Sequence, residues 1–204
     1  MSELKLVSAI PPSVNHYLAY RVVVKNGRPV GMSYKTPEAI KYRKAFANYV
    51  RQEVEKQGWN LCPNKYQHFY IDTVFYFPSL GLDANNYFKV MLDAITDTQL
   101  IWLDDNVTCE RVQGIYYDAT NPRMEITIRP VDYIGIFQDM SHLENFTSKC
   151  IGCTRYTRNC SILRQAKEGR IQAEINDIGV CLAYKQKKSN QSDKRKKGKG
   201  NDKN

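Results

Sequence analysis

The chain has 204 residues, 42% of them hydrophobic, with 14 Tyr and a formal net charge of +9, enough for one ordinary domain plus a small addition. No stretch approaches the roughly 18 uncharged apolar residues of a membrane span, and Met1-Ser-Glu-Leu-Lys has neither the basic start nor the apolar run of a signal peptide. A cytoplasmic protein with no membrane partner is expected, its six Cys being thiols or metal ligands rather than disulfides.

Residues 4–10 read as a short strand stopped by Pro11-Pro12. Tyr17 to Val24 is rich in β-formers, and Lys25-Asn26-Gly27-Arg28 signals a hairpin, because Asn-Gly readily takes positive φ. Thr36-Pro37-Glu38 opens a helix with a capping hydroxyl, a proline at the first helical position and an early acid. Ala39, Tyr42, Phe46, Val50 and Val54 supply its apolar face, and Gly58 ends it. His68 to Phe77 is the clearest strand. After Pro78 to Gly81, the run Asp83-Ala84-Asn85-Asn86 is a polar cap before a second helix over about 87–96, with Phe88, Met91, Leu92 and Ile95 at helical period. Asp104-Asp105-Asn106 follows on a loop. Two strands, about 108–117 and 124–130, flank a turn at Ala119 to Pro122. The order β, β-hairpin, α, β, α, β, β predicts an α/β domain over residues 1–132, with a small mixed sheet and two main helices.

After Pro130 the character changes. Residues 131–149 lack clear periodicity, so 133–184 reads as a connector followed by a four-cysteine module, and 185–204 as a disordered basic tail. The tail carries nine Lys/Arg against two Asp, a net of +7 that leaves only +2 for residues 1–184. It is either a solubilising extension or an arm whose phosphate contacts weaken steeply with salt.

The acids carry the first chemical signal. Cleaving a phosphodiester at neutral pH commonly uses Mg²⁺, which takes hard oxygen ligands from a few carboxylates. Asp83 sits where strand gives way to helix, Asp104 and Asp105 follow the same helix, and Lys89 lies one turn after Asn85. These residues equally make a helix cap, a plain turn and a Lys89–Asp93 pair at i,i+4.

Three patches together resemble the RusA family of phage and prophage Holliday-junction resolvases. They are Pro11-Pro12-Ser13-Val14-Asn15-His16-Tyr17; Asp83-Ala84-Asn85-Asn86-Tyr87-Phe88-Lys89 with Leu92-Asp93-Ala94-Ile95; and Trp102-Leu103-Asp104-Asp105-Asn106-Val107. The resemblance spans roughly residues 3–132. It implies a homodimer that binds four-way DNA junctions and makes paired nicks with Mg²⁺ or Mn²⁺, in DNA recombination and repair. It places the catalytic set on Asp83, Asn85, Lys89 and Asp105, with Asp83, Asn85, Asp104 and Asp105 as metal ligands. Asn85 is a departure, since the family has an Asp there. An amide oxygen still coordinates a hard cation, but the site loses one negative charge and a base. Asn85 is either drift to a weaker enzyme or a replacement that holds a junction intact. The alternative function is a non-catalytic junction-binding protein. Ser13, Asn15 and Tyr17 are expected to touch DNA, or else to form a turn with a packed Tyr. His16, His68 and His142 are scattered singles, read as structural.

Cys150-x2-Cys153-x6-Cys160-x20-Cys181 is the second signal, four thiols within 32 residues. The expectation is a metal-stabilised module holding Zn²⁺ or an iron–sulfur cluster. Arg155 and Arg158, with Tyr156 between them, suit a phosphate-facing surface. The bland alternative is a module that only packs. Cys62 and Cys109 read as buried apolar fillers.

Overall fold

The computed structural model describes residues 3–64 and 66–187. The chain divides into two compact units, Met1–Asp132 and Tyr133–Asn204.

In the first unit, β1 (Leu4–Ser8) is followed by a single helical turn, α1 (Val14–Tyr17), then by β2 (Leu18–Lys25) and β3 (Arg28–Lys35). Helix α2 (Pro37–Lys56) and strand β4 (Phe69–Phe77) come next, then α3 (Asn85–Thr96), a 3-10 turn at Asp105–Val107, β5 (Thr108–Tyr117) and β6 (Arg123–Pro130). The main sheet has the order β1-β6-β4-β5. β4 and β5 are parallel and the other pairs antiparallel, so the sheet is mixed and β4-α3-β5 is a crossover unit. The hairpin forms a sheet of its own, turning at Asn26 (φ 51°) and Gly27 (φ 73°), as a two-residue turn requires.

Alternation explains the core. Along β4 every second residue is buried, placing Phe69, Ile71, Phe75 and Phe77 on one face. They meet Phe46 and Val50 of α2 and the apolar side of α3, which includes Phe88, Met91, Leu92 and Ile95. Each such side chain contributes roughly 1.5–3 kcal/mol on full burial. Thr36 caps α2, its hydroxyl accepting from the Ala39 N–H at 3.3 Å. Gly58 stops the helix at φ 66°.

Two boundaries differ from expectation. α3 begins at Asn85, because the Asp83 carboxylate accepts the Asn85 N–H at 3.0 Å and starts the turn early. The 131–149 stretch is not irregular throughout: α4 (Met140–Cys150) forms there, capped by Asp139, which accepts from the His142 N–H at 2.7 Å. The second unit continues with a 3-10 turn at Tyr156–Arg158 and α5 (Ser161–Lys167). Its buried cluster is small: Phe137, Leu143, Phe146, Leu163 and Ala166. The tail expected at 185–204 lies, from residue 188 on, outside the described residues. Among the described residues no helix is long and apolar enough to cross a membrane.

Candidate functional site

The solvent-facing side of α3 carries Asn85, Lys89 and Asp93 at four-residue spacing, while the opposite side is buried. Lys89 Nζ lies 2.9 Å from Asp93 Oδ1 and 2.7 Å from Asp105 Oδ2, so one ammonium joins the helix to the loop before β5. That loop is held at both ends. Trp102 is fully buried and its indole N–H donates to the Thr96 hydroxyl at 2.7 Å, and Val107 is buried on the far side. Asp104, exposed, accepts the Asn106 N–H at 3.0 Å and shapes the turn. Asp83 and Asn85 are exposed at the start of α3. The pairing of Lys89 with Asp93, one of the two readings of that spacing, is present together with the contact to Asp105. Among the described residues no three His, Cys, Asp or Glu side chains are gathered at metal-binding distance, so Asp83, Asp104 and Asp105 do not form a ready carboxylate cage.

Behind Lys89 stands a network that the sequence pattern does not announce. Tyr17 donates a very short hydrogen bond to Asp93 Oδ2 and accepts one of 2.6 Å from Arg43. Arg43 also reaches Asp93 Oδ2 at 3.3 Å and Asp97 Oδ1 at 2.6 Å. Tyr17 is 8% exposed. The packed arrangement, one of the two readings of Tyr17, is what the structure shows, its hydroxyl engaged with Asp93 and Arg43. Burial, then Asp93, push its pKa up to about 12, so it stays a donor. Burial works against the charge on Lys89, but hydrogen bonds to Asp105 and Asp93 more than offset it and hold the pKa above its ordinary value. Lys89 is thus a fixed ammonium at neutral pH, suited to holding a phosphate and unsuited to acting as a base. Asp93 is held below the usual carboxylate value: burial raises it, and Tyr17, Lys89 and Arg43 outweigh that.

Arg43 also borders a groove of about 410 Å³ lined by Lys35, Lys44, Arg51 and Asp97 among others. Lys44 and Arg51 come from one face of α2; their i,i+7 spacing was the available signal. Ser13 is half-buried and precedes α1 without a capping bond, while Asn15 and His16 are exposed.

In the second unit Arg155 and Arg158 are exposed. All six cysteines are outside disulfides. Cys62 is exposed and Cys109 half-buried, which corrects their reading as buried fillers: Cys62 lies on the irregular link after α2, and Cys109 is the second residue of β5. Cys150, Cys160 and Cys181 pack on the small core, and Cys153 is buried. Burial, then the Cys181, Cys160 and Cys153 thiols, push the Cys150 thiol up to about 11. Burial also raises Cys153, but backbone N–H groups of Lys185, Arg155 and Tyr156 hold it below its ordinary value.

No curated protein matches the chain. The family model for endodeoxyribonuclease RusA matches residues 10–129, a span that takes in Tyr17, Arg43, Asp83, Lys89, Asp93 and Asp105. That span is more than half of the chain, and the protein belongs to the RusA endodeoxyribonuclease family, nucleases that bind branched DNA and resolve Holliday junctions.

Proposed function

We propose that this protein is a metal-dependent nuclease that resolves four-way junctions by paired nicks, acting as a homodimer, and that Asn85 weakens it. The observation that carries the reading is the Lys89 bridge. It joins two separate sequence patches, Asn85 to Asp93 and the Asp104-Asp105 loop, at one exposed place beside a basic groove. Asp83, Asn85 and Asp104 are exposed and Asp105 half-buried, and all four offer hard oxygen donors, the chemistry that Mg²⁺ or Mn²⁺ takes. A bound divalent cation would activate water and neutralise charge developing on the phosphate. The chain's own part is orientation and charge. Lys89 holds a non-bridging phosphate oxygen or the leaving oxygen as an ammonium. Asp93, itself fixed by Tyr17 and Arg43, sets where that ammonium points. Lys44 and Arg51 offer backbone contacts on the same unit, to which Ser13 and Asn15 add polar ones. Arg155 and Arg158 belong to the other unit and contribute phosphate contacts of their own.

The test is Asn85→Asp in the full chain, read on a gel with a labelled synthetic four-way junction in Mg²⁺, Mn²⁺ and chelator. Restoring the carboxylate should tighten Mg²⁺ binding and speed nicking by roughly 10²-fold or more, about 2.7 kcal/mol of barrier. Light scattering should show a dimer. A folded, dimeric Asn85→Asp protein that binds the junction and cuts it in neither metal overturns the nuclease reading. The substitution of Asn for a carboxylate would then mark a junction-binding protein.

A further inference from the structure

The second unit has too little core for its size. Among its described residues the buried cluster holds five side chains, one of them Ala166, with Ile162 and Cys153 buried beside it, and the regular structure is two helices, a 3-10 turn and isolated bridges. Small units of this kind need a disulfide, a metal or a partner to stay folded. No disulfide is present, yet four cysteines occupy the points where the unit's segments meet. Cys150 ends α4, and the Cys153 N–H donates back to its carbonyl at 2.8 Å, closing a tight knuckle. Cys160 directly precedes α5, and its carbonyl accepts the Arg164 N–H at 3.1 Å. Cys181 bridges Ile175, and Gln186 bridges Cys153. The segment after Cys181 is strapped to the knuckle by Thr154 N–H to Lys185 O at 2.8 Å and Lys187 N–H to Gly152 O at 2.9 Å. A Cβ on Gly152 would stand 2.5 Å from the Tyr184 hydroxyl, so a side chain there would have to displace that ring.

From this convergence we propose that Cys150, Cys153, Cys160 and Cys181 form a four-thiolate site for one soft metal centre, Zn²⁺ or an iron–sulfur cluster, which staples the C-terminal unit. Cys150 and Cys181 share one apolar cavity with Phe146 and Tyr184, and soft thiolate sets select Zn²⁺ or iron–sulfur clusters. Among the described residues no three of these sulfurs stand together at metal-binding distance, so binding must draw them to roughly 3.8 Å from one another, given Zn–S bonds of about 2.3 Å. Repulsion between thiolates opposes that approach until a cation offsets it.

The experiment uses the full chain, purified without oxygen or chelator, with metal content, acid-labile sulfide and the visible spectrum measured together. About one Zn per chain and no colour, or iron with sulfide and a brown spectrum, is the expected result, and the two arms separate the two centres. Cys153→Ser and Cys181→Ser should each lose most of the metal. Residues 133–187 should then become protease-sensitive while the thermal transition of the first unit stays in place. Cys62→Ser and Cys109→Ser should keep the metal. Should those variants fail to express, stripped wild-type protein is titrated with Zn²⁺ alone, where one tight equivalent is expected, together with recovered protease resistance. A chain that retains no metal on purification, and that neither Zn²⁺ nor iron with sulfide loads, overturns the site. So does a Cys181→Ser variant that keeps its full metal content. Neither readout depends on whether the protein cuts DNA.

Discussion

In the proposed mechanism Lys89 is the residue on which cleavage turns. Its two carboxylate partners keep it charged, and one of them, Asp105, is an expected cation ligand. Lys89→Ala in the Asn85→Asp background should therefore leave Mg²⁺ affinity equal or tighter and still lower the nicking rate by roughly 10²-fold. Junction binding should hold within about threefold, read by cleavage and mobility-shift assays on the same preparation. Asp93 acts one step back. Asp93→Asn leaves Arg43 and Lys89 short of their shared counter-charge and should cost about 2–4 kcal/mol of stability, because Asp93 is only 17% exposed. The sign of its pH dependence follows from a native pKa held below the ordinary one. Its contribution is complete above the unfolded carboxylate value of about 4 and is lost as pH falls from there through the depressed native value. Thermal melts between pH 3 and pH 7 should show a shallower acid loss in Asp93→Asn than in the wild type. An identical acid slope in the two proteins would remove Asp93 from the account.

At the scale of elements, Thr36 tests how much α2 depends on its cap. Its hydroxyl accepts from Ala39 and donates to the His16 carbonyl at 2.8 Å, joining the helix start to α1. Thr36→Ala should cost about 1 kcal/mol, a drop of roughly 4 °C in a melting curve of the first unit. This cap, the Asn26-Gly27 turn and the alternation of β4 were legible in the sequence because each is a local signal with one physical cause. The start of α3 falls two residues before its expected place, since a polar run reads as a cap until Asp83 is seen to turn the chain early. Helix α4 is hard to read because only Leu143, Phe146 and Cys150 mark its apolar side amid Ser, Glu, Asn, Thr and Lys. Asp139, three residues before His142, is the local cue to its start. Lys89–Asp93 was readable as an i,i+4 pair. Tyr17 and Arg43 were not, because they meet Asp93 from 76 and 50 residues away, and no periodicity reports such a contact.

Taken whole, the chain separates its charge from its chemistry. The nuclease patches lie in the first unit, whereas residues 188–204, outside the described residues, hold seven Lys/Arg against two Asp. Phosphate neutralisation binds DNA of any shape, and shape preference needs groups at fixed positions. The two sources of positive charge should therefore respond differently to mutation. Deleting residues 188–204 should weaken binding to duplex and four-way junction alike and flatten the salt dependence, by about 0.9 in the log–log slope for each phosphate no longer neutralised. The preference for the junction should survive. The double change Lys44→Ala with Arg51→Ala removes two cations from the groove beside Arg43, and should lower the slope by about 1.8 at most. Because that groove belongs to the unit carrying Lys89, it should also cut the preference for junction over duplex. Mobility-shift titrations of both DNA forms from roughly 50 to 200 mM salt supply every quantity needed. If the truncated protein loses its junction preference while the double variant keeps it, recognition resides in the tail, and the groove is a surface without a role in DNA binding.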